Sequence, residues 1–169
     1  MNIEKPRAVR RWSLILVLAW LPIASEAVEV MPRKPGEQVK CPVCGMFVAP
    51  YPKWVAQVVF DDDSTVFFDG SKDMFKYLLA RDTFAPDKRK PKIAATFVTS
   101  YYEGEAIPAA TAYFVSGSDV NGPMGSELVP HRTREEAEEF LRDHKGNRVI
   151  SFDEVTTELL RSLNARRRE

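Results

Sequence analysis

Lys53-Trp-Val-Ala-Gln-Val-Val-Phe60, Asp61-Asp-Asp-Ser64 and Thr65-Val-Phe-Phe68 follow one another and form the stretch that decides the fold. The first segment alternates and is rich in β-branched residues, which predicts a strand. The aspartate-rich segment predicts a turn, and the third segment predicts the strand that returns from it. Asp69 and Ser71 come directly afterwards and can cap the start of a helix.

A helix and a third strand are predicted to complete this first unit. Phe75, Leu78 and Leu79 form an apolar stripe at helical spacing. Residues 92–100 are again rich in apolar and β-branched side chains and predict the third strand. The order of the unit is therefore strand, strand, helix, strand, or ββαβ.

The second half of the chain repeats this order. Residues 110–115 and 127–130 are predicted strands, and the segment between them is a predicted glycine-rich loop. Thr133-x-x-Glu136 has the pattern of a capping box and predicts the start of a helix, which ends at Gly146. Residues 148–152 form the last predicted strand.

We therefore predict an α+β fold made of two tandem ββαβ units packed together, plus a C-terminal helix. The first unit is assigned to residues 41–104 and begins with the motif Cys-Pro-Val-Cys-Gly-Met. The second unit and the C-terminal helix are assigned to residues 105–169, and residues 28–40 are predicted to be a flexible leader. Neither unit alone can bury much apolar surface, which favours their packing as one body.

The amino terminus has the features of a secretory signal peptide, assigned to residues 1–27. Basic residues precede a largely apolar run from Trp12 to Leu21, and Ser25-Glu26-Ala27 resembles a cleavage site. A run of about ten residues is too short to cross a hydrocarbon core of about 30 Å, which disfavours a membrane anchor. No cysteine that could accept a lipid stands at the end of the run. The prediction is a periplasmic protein that meets the membrane only transiently, through its signal peptide.

Composition and motifs exclude several classes of function. The formal net charge is zero, so the chain has no overall basic excess with which to bind nucleic acid. The motifs G-x-S-x-G and H-E-x-x-H are absent, as is a phosphate-binding glycine loop followed by lysine. These absences favour a protein that is not an enzyme.

The chemistry of the chain is concentrated in Lys40-Cys-Pro-Val-Cys-Gly-Met46, which contains its only two cysteines. Cys41 and Cys44 can form a disulfide, a redox pair or a soft-metal site in an exported protein. Thiolate and thioether sulfurs favour Cu(I), and Gly45 allows the backbone to turn so that Cys44 and Met46 face one ion. Thioredoxin-like pairs precede a helix, whereas here prolines and a predicted strand follow, which favours the metal site.

A closed zinc site of four cysteines is excluded by the cysteine count. Cys-Pro-x-Cys-Gly-Met also opens small zinc modules, in which a second cysteine pair follows a β-hairpin and begins a helix. At that place this chain has Asp69-x-x-x-Asp73, and no further cysteine exists. The motif therefore predicts an incomplete site that is suited to transferable binding.

Two residues of the second half are candidate ligands. Met124 lies in Gly122-Pro-Met-Gly125, outside any apolar stripe, which favours a ligand or docking role over packing. His131 precedes the second helix at the position that matches Asp69, where it is either an exposed loop residue or a ligand.

Three segments together resemble the NosL family, the copper-accessory proteins of nitrous oxide reductase. They are Cys-Pro-Val-Cys-Gly-Met-Phe-Val from Cys41, Phe-Phe-Asp-Gly-Ser-Lys-Asp-Met-Phe-Lys-Tyr-Leu from Phe67, and Gly-Pro-Met-Gly-x-Glu-Leu-Val-Pro from Gly122. The resemblance implies a periplasmic Cu(I) chaperone that delivers copper to nitrous oxide reductase or its maturation machinery. It also implies two ββαβ units.

The resemblance implies a ligand set as well, with Cys44, Met46 and Met124 binding Cu(I). Many members have histidine after Gly-Pro-Met-Gly, where this chain has Ser126, so His131 is a possible substitute. Cys41 is a possible second thiolate. Members are commonly lipoproteins, and the predicted signal peptide of this chain lacks the lipid-accepting cysteine. The alternatives are a thiol-disulfide oxidoreductase that uses both cysteines and an interaction module with a disulfide-stapled loop.

Overall fold

The computed structural model describes Met1 and residues 30–85 and 91–165. Within these ranges the chain forms two antiparallel sheets, four α-helices and three short 3-10 turns. The strands are β1 (Ala56–Phe60), β2 (Thr65–Phe68), β3 (Ile93–Thr99), β4 (Ala106–Pro108), β5 (Tyr113–Gly122), β6 (Gly125–His131) and β7 (Arg148–Ser151). The helices are α1 (Ser71–Leu79), α2 (Arg81–Phe84), α3 (Arg134–Asp143) and α4 (Thr157–Ala165).

The two sheets have the same basic topology. The strand order is β2-β1-β3-β4 in the first sheet and β6-β5-β7 in the second. In each sheet a hairpin is followed by a helix, after which the chain returns to the free side of the first hairpin strand. The α+β class and the ββαβ order of both halves are therefore confirmed. The short strand β4, which pairs with the end of β3, was not predicted.

The glycine-rich segment of the second half is mostly strand, whereas the sequence predicted a loop. β5 continues to Gly122, and Asn121 pairs with Ser126 after an irregularity in the register that begins at Ser116. Gly117 and Gly125 have φ angles of +73° and +82°. Glycine adopts positive φ without steric cost, so these residues allow the strand to bulge and then to turn back. The loop is thereby reduced to the tip of a hairpin.

One core joins the two units. Successive side chains of β5 and β6 point to opposite faces of the second sheet. Phe114 and Leu128 lie in the main core, whereas Val115 and Val129 pack against α3. α1 packs on β1 and β2 of its own sheet and also on β6 of the second sheet. Its Phe75 ring meets Phe114 edge-on, with centroids 5.1 Å apart. The first helix is thus covered by both sheets, and α3 covers the outer face of the second sheet.

The described part of the leader is tethered to β1. The backbone N–H of Arg33 donates to Gln57 Oε1 at 2.8 Å, and Gln57 Nε2 donates to the Arg33 carbonyl at 3.0 Å. Gln57 is buried, so its amide satisfies its polar groups through this pairing. Arg33 of the predicted leader therefore contacts β1 through two hydrogen bonds. The predicted signal peptide, residues 1–27, lies outside the described residues apart from Met1.

None of the helices in the described ranges is long and apolar enough to cross a membrane.

Candidate metal centre

A tight turn brings the two cysteines of the first unit to one place. Lys40 and Phe47 form an isolated antiparallel bridge that closes the motif. Inside it, the Cys41 N–H donates to the Met46 carbonyl at 2.8 Å, and the Gly45 N–H donates to the Cys41 carbonyl at 2.9 Å. Gly45 has φ +80°, a conformation that other residues rarely adopt. This glycine allows the chain to reverse between Cys44 and Met46, as the sequence predicted.

Two aspartates complete the cluster from the other side. Asp69 follows β2, and Asp73 lies in the first turn of α1. Cys44 Sγ donates to Asp69 Oδ1 at 3.1 Å, and Cys41 Sγ lies 3.7 Å from Asp73 Oδ2. One donor atom from each of the four residues lies within 4.8 Å of the others. Two thiols and two carboxylates therefore converge on a volume that suits one metal ion.

The cluster is enclosed on all sides except at Cys44. Cys41, Asp69 and Asp73 are at most 2 % exposed, whereas Cys44 is half-buried. Asp69 Oδ2 is buried and has no hydrogen-bond partner in the part of the chain that the structure describes. A buried carboxylate oxygen without a partner is unfavourable, and a bound cation would satisfy it.

Both thiols are held in the protonated form when no cation is present. The pKa of Cys41 is raised to about 11, chiefly by burial; two backbone hydrogen bonds oppose this rise, and the neighbouring carboxylates of Asp69 and Asp73 contribute to it. Burial is also the largest cause that raises the pKa of Cys44, and Asp69 and Cys41 add to it. Both cysteines are free thiols, not a disulfide. A metal ion would reverse this balance because it stabilises the thiolates.

The two aspartates are the site residues that the sequence did not assign. The signal was present, because Asp69-x-x-x-Asp73 occupies the place where a second cysteine pair stands in zinc modules. By itself, this pattern indicates only that the cysteine site is incomplete. The structure shows that the carboxylates stand beside the thiols, so the place of the missing cysteines is filled by oxygen donors.

The two predicted methionine ligands belong to different units of the fold. Met46 is half-buried and belongs to the cysteine turn itself. Met124 is half-buried at the tip of the β5–β6 hairpin, and its carbonyl oxygen lies 3.4 Å from Lys72 Nζ. Lys72 directly precedes Asp73, so the hairpin of the second unit reaches the start of α1. Coordination by either thioether stays a prediction.

His131 lies elsewhere. Its ring packs against Phe140 of α3, with centroids 4.6 Å apart, and against Tyr101 and Tyr102. It is fully buried, and neither ring nitrogen has a partner among the described residues. The structure therefore does not bring His131 to the cysteine–aspartate cluster, because its strand position directs it to the α3 face of the second sheet.

The burial of His131 predicts a loss of stability in acid. Burial lowers its pKa from 6.5 to about 4, and His144 adds to the shift while Glu103 opposes it. Between these values the unfolded chain binds a proton that the folded chain does not, so stability falls as pH falls. We expect His131 to contribute a loss of about 2 kcal/mol between pH 7 and pH 5.

Urea unfolding of the wild type and of His131→Leu at the two pH values measures this contribution. The variant should lose less stability on acidification than the wild type. Glu127 requires the comparison with the variant, because burial raises its pKa to about 7, which gives it the opposite pH dependence. Equal losses in both proteins would contradict the prediction.

The fold and the site together define a class: a small α+β protein of two ββαβ units, with a candidate metal centre of two cysteines and two aspartates in the first unit. A family model for NosL matches residues 32–160. The chain belongs to the NosL family.

Two relatives show how far this similarity extends. The chain is 26 % identical over 123 residues to the copper-binding lipoprotein NosL of Stutzerimonas stutzeri, an alignment that covers 72 % of the chain and 64 % of the relative. The chain thus spans less than two thirds of that relative's length. The copper chaperone NosL of Shewanella denitrificans has a similar fold, with a TM-score of 0.64 and 21 % identity. That match covers 76 % of this chain and 97 % of the solved one.

Proposed function

We propose that this protein is a periplasmic carrier of Cu(I), which it delivers to nitrous oxide reductase or its maturation machinery. The observation that carries the proposal is the convergence of Cys41 and Cys44, both reduced, in one turn that leaves Cys44 half-exposed. The proposed ligands are the Cys44 thiolate and the thioethers of Met46 and Met124, with Cys41 as an optional second thiolate. The family and the names of both relatives support copper as the metal.

Soft sulfur donors select for Cu(I). Thiolate and thioether ligands favour Cu(I), and the two aspartates add hard donors that admit borderline divalent ions. A second thiolate from Cys41 would tighten copper binding, whereas thioethers keep the site labile. Because Cys44 is the exposed member of the cluster, an acceptor protein can approach the metal on this side.

The enzyme alternative, a thiol-disulfide oxidoreductase, is not favoured by the site. Such enzymes depend on a thiolate whose pKa is lowered, often at the start of a helix. Here the pKa values of both cysteines are raised, and Cys44 is followed by a turn and a 3-10 segment, Pro52–Trp54. These features support a carrier over a catalyst.

The predicted signal peptide and the family support the proposed compartment and acceptor. The predicted signal peptide supports export, and the relative from Stutzerimonas stutzeri is named as a lipoprotein. We propose a periplasmic protein that meets the membrane only transiently, through its predicted signal peptide. The resemblance to copper-accessory proteins supports nitrous oxide reductase or its maturation machinery as the acceptor.

Copper stoichiometry provides the first test of the function. The reduced protein titrated with Cu(I) and examined by native mass spectrometry should take up one tightly bound copper per chain. Its uptake should saturate at that ratio in the presence of a competing chelator. If the protein binds no copper under these conditions, the proposed function is wrong, and the alternatives are a thiol-disulfide oxidoreductase or an interaction module with a disulfide-stapled loop.

Cys41→Ser separates the carrier from the oxidoreductase. A redox pair loses all activity with either cysteine, but a carrier that relies on Cys44 should keep one Cu(I) per chain after this change. Cys41 is 1 % exposed, and serine fits its volume, so the fold should persist. Complete loss of copper binding in a folded Cys41→Ser protein would show that Cys41 is an essential ligand.

A further inference from the structure

The second unit is fixed to the start of α1 by one buried carboxylate, that of Glu127 in β6. Glu127 is 2 % exposed. Its Oε1 accepts the backbone N–H of Lys72 at 2.5 Å and that of Leu128 at 2.9 Å. The residue that precedes α1 is Gly70, which has no side chain with which to cap the helix. Glu127 therefore supplies, from the other unit, an acceptor for one of the free N–H groups of this helix.

Two glycines make room for this carboxylate. A Cβ atom at Gly70 would overlap Glu127 Oε2, and one at Gly122 would lie 3.1 Å from Glu127 Cγ. Gly70 belongs to the start of α1 and Gly122 to the β5–β6 hairpin. The close approach of the two units at this point thus depends on the absence of side chains on both sides.

Lys72, in the first turn of α1, forms a second connection to the β5–β6 hairpin. Its ammonium group donates to the carbonyl of Ser126 and lies 3.4 Å from the carbonyl oxygen of Met124. Lys72 itself is 2 % exposed, so this contact is shielded from water. The start of α1 and the Met124 hairpin are therefore held together by a buried carboxylate and a buried ammonium group.

The start of α1 is also the segment that carries the metal cluster. Asp69 and Asp73 flank Gly70 and Lys72, and their carboxylates lie beside the two cysteine thiols. We propose that Glu127 is a positioning residue, which seats the Met124 hairpin against the α1 end of the metal centre. This inference rests on the proposed function, in which Met124 is a thioether ligand.

The physical reason is that a thioether is a weak, neutral ligand. It adds to affinity only if its position is fixed before the metal arrives, because ordering a free loop consumes the small gain. Residues outside the ligand set that orient ligands typically change metal affinity by 10–100-fold. Glu127 and Gly70 act in this way without contacting copper.

Gly70→Ala tests the inference, because the added methyl group displaces Glu127. We expect Cu(I) affinity, measured by chelator competition, to fall by about 10–100-fold. Gly36→Ala is the matched control, since its Cβ would lie 3.8 Å from Val39 Cγ2, an ordinary contact. The affinity loss should disappear in the Met124→Leu background. A loss of the same size with and without Met124 would overturn the positioning role.

X-ray absorption separates this inference from the proposed ligand set. In selenomethionine-labelled Met46→Leu, a copper–selenium contact reports Met124 alone among the proposed ligands. Gly70→Ala in that background should remove the contact and keep the copper–sulfur distance of Cys44. A contact that survives Gly70→Ala overturns the positioning role. If Met46→Leu shows no contact even with Gly70 intact, the proposed role of Met124 as a ligand fails instead.

Glu127→Gln provides a second variant if Gly70→Ala does not fold. The amide retains an oxygen that can accept the Lys72 N–H, so the fold should be preserved. Above pH 7, where Glu127 is ionised, the substitution removes the negative charge that attracts the Lys72 ammonium group, so the copper–selenium contact should weaken. Unchanged affinity and an unchanged contact in the folded variant would count against the inference.

Discussion

Cys44→Ser should abolish tight Cu(I) binding while the protein stays folded. Cys44 is the thiol at the open side of the cluster, and its loss replaces the proposed thiolate ligand with a hydroxyl that binds Cu(I) poorly. The loss should exceed the roughly 10–100-fold that an orienting residue typically contributes to metal affinity. A serine hydroxyl can still donate to Asp69, so the local hydrogen bond should survive.

Chelator competition with the reduced protein measures this effect. Met31→Leu is a suitable control, because Met31 is 64 % exposed and lies in the leader, outside the proposed ligand set. The control should bind Cu(I) as the wild type does. Unchanged affinity in Cys44→Ser would show that the proposed site is wrong.

Phe114→Ala should produce the largest loss of stability, about 3–5 kcal/mol. The Phe114 side chain is fully buried in the core that joins the two units, and its ring meets Phe75 of α1 edge-on. Truncation removes apolar burial and leaves a cavity that the surrounding side chains can fill only in part. A change of this size is a substantial part of the total stability of most domains, which is about 5–15 kcal/mol.

Urea unfolding followed by tryptophan fluorescence and by far-UV circular dichroism tests this prediction. Because the core is shared, both signals should shift together and report a single transition. Tyr102→Ala is the control, since Tyr102 is 47 % exposed and its truncation should cost much less. Two separate transitions in Phe114→Ala would show that the units fold independently.

The repeated ββαβ order was predictable because it depends on local patterns. The alternation of β1, the aspartate-rich turn and the Thr133 capping box each specify structure within a few residues. The structure confirms the capping box, with the Glu136 N–H donating to Thr133 Oγ1 at 3.2 Å. The glycine-rich segment was predicted less well, because a glycine that permits a bulge has the same local signature as one in a loop.

The candidate site was predicted in part for the same reason. Cys41, Cys44 and Met46 lie in one motif, so their proximity follows from the turn that Gly45 allows. The ligand role considered for His131 was inferred only from its matching position in the repeat. In the structure the side chain points into an aromatic cluster, because β6 directs alternate residues to opposite faces of its sheet.

By itself, the sequence determined the class of the fold, the paired cysteines and the likeness to the NosL family, because these are written in short, contiguous patterns. Only the tertiary structure decided that Asp69 and Asp73 face the thiols and that Glu127 joins the Met124 hairpin to the start of α1. Both results depend on how the first helix packs between two sheets. That packing is set by the complementary shapes of Phe75, Phe114 and their neighbours, and a contact between residues far apart in the chain leaves no periodic signal in the sequence.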